Sequence, residues 1–249
     1  MGKNIKLFNT EFEYCVFSKS EEYQAPNVSY VQESNNVYYD IFNNHEYVDL
    51  NLQSGTLWAT MNIGASSPEE IGSYFAYGET KEKETYTKET YKWWDGENYT
   101  KYSQDDNLEI EDDAAHTNWG GLWVVPTKEQ FTELIQNTTS ANTEINGVSG
   151  ISFTSTNGNS IFLPHCGFKA INGETMEPYL SDANKTISMT STLGSWGYIP
   201  WHFNEWNTGC GVENWVYRAS GMTVRPVLNR NYLCDNSELS EPIIDQQTY

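Results

Sequence analysis

Several short stretches of this chain place hydrophobic and polar residues in alternation, a pattern that predicts β-strands. Turn residues separate these stretches. Two of them flank Asn157-Gly158, a dipeptide typical of the turn in a β-hairpin. The sequence therefore predicts a domain built mainly from short strands. Strands are predicted at residues 47–50, 56–60, 151–153, 161–163 and 223–227.

Helix signals are fewer than strand signals. The clearest helix is predicted to start at Pro126, because Phe131, Leu134 and Ile135 follow at spacings that place them on one buried face. A capping residue, a proline and a glutamate in order also predict a helical turn at residues 67–70. The fold class expected from these elements is α+β.

Residues 1–43 form the first of three predicted segments, a small α/β-hairpin module. Capping-box spacing predicts a short helix from Thr10 to about residue 18, and residues 28–31 and 37–39 resemble the strands of a hairpin. A unit of this size is not stable alone, so it should pack on a partner or a second copy. The side chains expected at that contact are Leu7, Phe8, Phe12, Tyr30 and Tyr38.

The other two segments are a domain over residues 44–230 and a tail over residues 231–249. The tail holds four acids and neither Lys nor Arg, so it is predicted to be extended. Residues 79–113 hold 12 acids and five lysines, which predicts a long solvated excursion from the domain.

The charge balance restricts the partners of the protein. Fourteen basic and 34 acidic side chains give a formal charge of −20. Nucleic acid and anionic membrane surfaces are bound through excess Lys and Arg, so neither is an expected partner. Aromatic residues make up 14% of the chain and include nine Trp, which argues against a disordered acidic chain. The first ten residues lack the apolar run of a secretory signal, so synthesis in a cytoplasm is expected.

Several motifs follow one another in a recognisable order at residues 47–65, 74–80, 112–115, 119–127, 157–164 and 224–227. In this order they resemble the "major paralogous domain" family of gut bacteria and their phages. This family is similar to formylglycine-generating-enzyme-type domains, a branch of the C-type-lectin-like fold. The resemblance implies twisted antiparallel sheets, two helices and long loops over roughly residues 45–228.

The first segment has a motif order of its own, made of residues 6–10, Tyr23, residues 26–30 and residues 37–39. In these residues it resembles the N-terminal module of fibre and virion proteins in crAss-like phages. It implies a virion protein made in the host cytoplasm, in which the first segment attaches a lectin-like domain to the particle. Fibre proteins are usually homo-oligomeric, so a homodimer or homotrimer is expected.

Residues 195–217 form the candidate ligand site, because seven aromatic residues lie there among amides and carboxylates. Such surfaces suit sugars or proteins, here host surface glycans. The alternative is that the rings fill the core, and Trp215 and Tyr217 are expected to do so. Trp93-Trp94 form a second aromatic candidate. The candidate ligand residues are Trp196, Tyr198, Trp201, His202, Asn204, Glu205, Trp206 and Asn207.

The sequence disfavours catalysis and metal binding. Formylglycine-generating enzymes bind copper through paired cysteines, but Cys166 and Cys210 lie in no known motif. Residues 177–179 and 206–208 half-match the calcium motifs of sugar-binding C-type lectins, and each lacks one oxygen ligand. Asp112 and Asp113 are weak metal candidates, and the favoured reading is that one of them caps a short helix over residues 114–118.

The expected function is therefore that of a non-enzymatic phage virion protein, a head fibre, decoration protein or tail fibre. No cofactor is expected, with calcium as the disfavoured exception. A bacterial surface adhesin and a formylglycine-generating-type enzyme are the alternatives.

Overall fold

A computed structural model describes residues 5–7, 10–12, 31–32, 38–171, 178–206 and 209–228. The chain divides into two compact units, one of residues 26–229 and one of residues 1–25 with 230–249. In the smaller unit the described residues form an antiparallel pair of strands, β1 (Ile5–Leu7) and β2 (Thr10–Phe12).

The helix predicted to start at Thr10 is wrong, because Thr10–Phe12 is a strand. In the backbone register of the β1–β2 pair, Lys6 lies opposite Glu11. The capping-box spacing occurs here in a segment that alternates in polarity, and strand pairing prevails over the local helix signal. Phe12 also lies opposite Ile5, while Phe8 and Tyr30 lie outside the described residues.

The larger unit is mostly β-sheet with two α-helices in its described residues, consistent with the predicted α+β class. None of the helices in the described residues has the length and hydrophobicity needed to cross a membrane. Its elements are β3 (Val31–Gln32), β4 (Tyr38–Phe42), β5 (His45–Asp49), β6 (Leu57–Ala59), β7 (Tyr74–Phe75), α1 (Ala114–Trp119), β8 (Trp123–Val124), α2 (Lys128–Asn137), β9 (Thr139–Ile145), β10 (Val148–Thr154), β11 (Ser160–Pro164), β12 (Phe168–Ile171), β13 (Pro178–Ser181), β14 (Ile187–Leu193), β15 (Pro200–Trp206), β16 (Gly209–Glu213), β17 (Met222–Thr223) and β18 (Val227–Leu228).

The largest sheet has six strands in the order β3-β4-β5-β6-β18-β8. Strand β4, which begins at Tyr38, pairs antiparallel with β5. Strand β18 lies between β6 and β8 and pairs with both, with Val227 opposite Trp58 and Val124.

A second sheet has the order β16-β15-β14-β17-β7 and includes one parallel pair, β14 with β17. The single strand predicted at residues 223–227 is wrong, because β17 and β18 lie in different sheets. The cause is Arg225 between them. Its side chain is fully buried and donates to the carbonyls of Ala59 and Phe162 and to the amide oxygen of Asn62. Burial lowers the pKa of this guanidinium to about 9.

Two smaller sheets complete the unit. The order of the first is β11-β10-β9, and its β10–β11 hairpin confirms the turn predicted at Asn157-Gly158. Strands β12 and β13 form the second.

Helix α2 confirms the helix predicted at Pro126. Thr127 is its N-cap and forms a capping box with Gln130, in which each side chain accepts a bond from the backbone N–H of the other residue. Phe131 and Leu134 are buried, whereas Ile135 is half-buried. The ring of Phe131 packs against Trp58 and Phe203, with centroids 4.9 and 5.2 Å away, so α2 joins the six-stranded sheet to β15.

Residues 67–70 form a turn and not a helix, since only Glu70 donates a backbone bond back to Ser67. The excursion over residues 79–113 has little regular structure, as predicted, but it is not simply a solvated loop. Tyr86 and Tyr91 are buried, and they form a separate core cluster against which Trp93 packs.

Candidate functional site

Three aromatic rings stand side by side on the loops that flank β15 and β16. We call Trp196, Tyr198 and Tyr217 the aromatic platform. Trp196 is 69% exposed and Tyr217 is 59% exposed, while Tyr198 is half-buried. The Tyr198 and Tyr217 rings are nearly parallel, at 23°, with centroids 6.3 Å apart. The Trp196 centroid lies 6.4 Å from that of Tyr198, and these two rings meet at 60°. The three rings are therefore neighbours, with Trp196 tilted relative to the tyrosines.

Arg218 anchors the loops that carry the platform. Its side chain is fully buried. Its guanidinium donates to the carbonyls of Gly197 at 2.8 Å and Lys101 at 2.8 Å, and its backbone N–H donates to the carbonyl of Tyr198 at 3.0 Å. One residue thus ties the platform to the excursion.

The charge of Arg218 is stabilised without a carboxylate, since the described residues place none within 4.0 Å of its guanidinium. Four tyrosine rings surround its Cζ atom instead and offer it their negative faces. Burial raises the pKa of Tyr91, which accepts a bond from Arg218 Nε, so this phenol stays neutral. The rings are those of Tyr77, Tyr91, Tyr99 and Tyr102, with centroids at 5.6, 5.2, 4.8 and 6.0 Å.

Three of the predicted ligand residues are buried side chains of β15. His202, Asn204 and Glu205 are at most 4% exposed, so they are not at the surface. Trp201 is half-buried beneath the ammonium of Lys128, whose Nζ lies 4.8 Å from its ring centroid. These residues support the strand on which the platform loops stand. Trp206 ends β15 and Asn207 follows it, outside the described residues.

One face of β15 carries a polar network around Glu213. The carboxylate accepts bonds from Asn204 Nδ2 at 2.7 Å and from Trp215 Nε1 at 2.9 Å. Trp215 stacks edge-on against His202 at 5.2 Å. Burial lowers the pKa of His202 to about 4, so the imidazole is neutral at pH 7. The network orients Trp215 on the sheet.

The opposite face of β15 carries a second polar contact. Glu205 Oε2 lies 3.1 Å from His165 Nε2 and accepts a 3.4 Å bond from the backbone of Thr186. Glu205 thus links β15 to residues that flank β11 and β14, and it acts as a structural group.

The core positions predicted for Trp215 and Tyr217 are wrong, because Trp215 is 38% exposed and Tyr217 more so. The sequence did not reveal that Tyr217 lies at the surface, because the position of Tyr217 depends on Arg218. The contacts that hold Arg218 come from residues far away in the chain. The second aromatic candidate is half-buried, with Lys88 Nζ 3.4 Å from the ring centroid of Trp94.

The oxygens of Asp112 and Asp113 are used within the protein. Asp112 accepts bonds from Lys92, Lys101 and Tyr102 at 2.6–2.9 Å. Asp113 caps α1, as predicted for one of the pair, and also accepts from the backbone of Val125. Burial raises the pKa of Asp113 to about 6. No three His, Cys, Asp or Glu side chains cluster as a metal site in the part of the chain that is described.

Both described cysteines are free thiols. Cys166 is buried and donates to the carbonyl of Ile187 at 3.1 Å, whereas Cys210 is half-buried on β16. Burial raises the pKa of each thiol, which favours the protonated form over the thiolate that a metal binds.

Comparison with known proteins gives no relative. No protein-family model, curated protein or solved structure matches the chain significantly.

Proposed function

We propose that this chain is a non-enzymatic structural protein of a bacteriophage virion, a head fibre, decoration protein or tail fibre, that binds host surface sugars through the aromatic platform. The observation that carries the proposal is the exposure of Trp196 and Tyr217 beside the half-buried ring of Tyr198 on one anchored surface. Contiguous exposed aromatic surface marks an interaction site in soluble proteins.

The chemistry of the platform suits sugars. The faces of Trp196 and Tyr217 can receive the C–H faces of a pyranose ring. Protein oxygen atoms that can bond to the hydroxyls of a sugar lie next to Trp196 in the chain. They belong to Ser195 and Asp105, whose Oγ and Oδ1 atoms are 3.5 Å apart. Exposed oxygen acceptors next to flat rings are the combination that fixes the orientation of a bound sugar.

The anchoring of the platform favours binding as well. Because Arg218 fixes the backbone of Gly197 and Tyr198, little conformational entropy is lost when a ligand settles on the rings. A single platform is small, so useful affinity comes from many copies on one particle.

We propose further that the larger unit is a C-type-lectin-like domain. The first and last blocks that resemble the "major paralogous domain" family meet in one sheet, because β18 pairs with β6 and β6 with β5. The N-terminal resemblance supports the virion location, with capsid or fibre proteins and further copies of the chain as partners.

Sugar binding is tested on a glycan array with wild type, Trp196→Ala and Tyr179→Ala. Tyr179 is the matched control, since it is an exposed ring, at 42%, on a different strand. Trp196→Ala should weaken binding about tenfold, and Tyr179→Ala should not. Equal binding by all three proteins would refute the platform as the site.

The virion location is tested separately by mass spectrometry of purified particles. Peptides of this chain should appear at a copy number comparable to that of other structural proteins. Their absence from intact particles would end the virion proposal and leave the sugar site untouched.

A further inference from the structure

Strand β9 is an edge strand whose outer side is free in the described residues. It pairs along all seven residues with β10 and with no other strand. Six of these residues are exposed and Ile145 is half-buried. Among the described residues, no backbone group forms a hydrogen bond with the outer side of Thr139–Ile145.

The turn that follows β9 shows which backbone groups point outward. Asn146 and Gly147 have φ of 50° and 83°, the two positive values of a type I′ turn. In such a hairpin the flanking residues Ile145 and Val148 form a hydrogen-bonded pair, and these pairs then alternate along the strands. The N–H and C=O groups of Ser140, Asn142 and Glu144 therefore point away from β10.

The β10–β11 pair confirms this alternation independently. Gly150 lies opposite Thr143 on β9 and opposite Pro164 on β11. Since proline has no N–H, Gly150 cannot form a full hydrogen-bonded pair with Pro164, and its bonds go to Thr143. The inward set on β9 is thus the odd-numbered one.

This edge lacks the features that usually prevent strand addition. Natural edge strands are shortened, bulged, covered, or marked by lysine or proline. Strand β9 has a continuous register with β10 and contains neither Lys nor Pro. Glu144 is the single charged residue among its seven.

We propose that β9 is a self-association surface that pairs antiparallel with β9 of a second copy, centred on Asn142. Asn142 of one copy then lies opposite Asn142 of the other, and two carboxamides can exchange hydrogen bonds. Within one copy the Ser140 side chain hydrogen-bonds with Cys210. Ser140 lies opposite Glu144 in both halves of the pair, so an uncharged polar residue meets a carboxylate.

The antiparallel arrangement also avoids a charge conflict. A parallel, in-register pair would place Glu144 beside Glu144, and like charges directly opposite are destabilising. The antiparallel pair obeys two-fold symmetry and joins two three-stranded sheets, β11-β10-β9 in each copy, into one continuous sheet. It requires no contribution from the N-terminal segment.

The test measures the mass of the full chain by sedimentation velocity over a range of concentrations. Wild type should form a dimer. Ser140→Glu and Ser140→Lys are a matched pair, because both lose the native hydroxyl and differ only in the charge set opposite Glu144. Ser140→Glu should raise the dimer dissociation constant about tenfold, and Ser140→Lys should lower it at low salt.

A second variant tests the backbone bonds. Asn142→Pro removes an outward N–H and leaves the inward ladder to β10 intact, so the dimer should be lost while thermal unfolding stays close to that of wild type. Asn142→Thr keeps the N–H and should keep the dimer.

Two results would overturn the proposal. One is a wild-type protein that stays monomeric at every concentration. The other is an oligomer that persists unchanged in Ser140→Glu and Asn142→Pro, which would place the contact elsewhere, for example in the N-terminal segment.

Discussion

Arg218 Nε donates a 2.9 Å hydrogen bond to the phenolic oxygen of Tyr91, which lies 127 residues earlier in the chain. Tyr91 in turn donates to the carbonyl of Tyr77 at 2.6 Å. The buried arginine therefore fixes a phenol that itself fixes the backbone after β7. The platform and the excursion form one mechanical unit.

Replacement of Arg218 should destabilise the larger unit strongly. Arg218→Met leaves the carbonyls of Gly197, Lys101 and Tyr102 without their donor inside the protein. We expect a loss of about 3 kcal/mol or more in the free energy of unfolding, measured by urea titration. Tyr91→Phe removes one bond and should cost about 1 kcal/mol. Equal losses in the two variants would contradict the anchoring role.

The carboxylate beside the platform should select against acidic sugars. Asp105 is exposed and lies next to Ser195, and so it repels a ligand carboxylate. Asp105→Asn should strengthen binding of a sialylated glycan by roughly two- to fivefold at low salt, with little change for its neutral counterpart. Glu84→Gln removes the same charge from the surface near Lys169 and is the control. Equal gains for both glycans would contradict the selection.

Acidification should destabilise the fold through His202. Burial lowers the pKa of the folded imidazole to about 4, against the ordinary 6.5. The unfolded chain therefore takes up the proton first as the pH falls. The contribution of His202 is complete above pH 6.5 and is lost progressively toward pH 4, up to roughly 3 kcal/mol. Urea unfolding of His202→Gln should show a smaller loss of stability between pH 7 and pH 4.5 than wild type.

Asp113 works in the opposite direction over part of this range. Burial raises its pKa to about 6 in the folded state, against 3.8, so the folded chain takes up this proton first. Its protonation stabilises the fold as the pH falls through 6. Wild type and His202→Gln both retain Asp113, so the difference between their stability–pH profiles isolates the contribution of His202. Identical profiles would show that His202 is not a neutral buried group.

Two glycines of the β9–β10 hairpin should respond differently to substitution. Gly147 has a φ of 83° and open space around its Cα, so Gly147→Ala should cost about 1 kcal/mol from backbone strain. A Cβ on Gly150 would collide with the carbonyl oxygen of Leu163 and the ring of Phe162, and Gly150→Ala should cost about 2–3 kcal/mol. Thermal unfolding measures both, with the exposed Ser149→Ala as control. A smaller cost at Gly150 than at Gly147 would contradict the close approach of β11.

Local signals predicted the elements in which short-range chemistry decides the structure. Asn157-Gly158 indicated the β10–β11 hairpin because apolar strands flank it on both sides. Asn146-Gly147 is the same dipeptide, and the hairpin that it forms was missed. Strand β9 is exposed over most of its length, so it lacks the alternation of buried and exposed residues that marks a strand.

The same limit explains the two capping boxes. The one at Thr127 precedes a helical apolar stripe and is formed, whereas the one at Thr10 lies in a segment whose backbone pairs as a β-strand. The platform was only partly predicted. Its position depends on Arg218, and the contacts of Arg218 come from residues that are about 20 to more than 100 positions away in the chain.

The insertion of β18 between β6 and β8 restricts the order in which the domain can fold. Val227 must reach Trp58 and Val124 before the largest sheet closes, so this interior strand follows both of its neighbours in the chain. Contacts between residues this distant in sequence make folding slow, because the entropy of closing a long loop is lost before the strand hydrogen bonds can form. During synthesis, the edges of β6 and β8 that pair with β18 stay without this partner until residues 227–228 have been made.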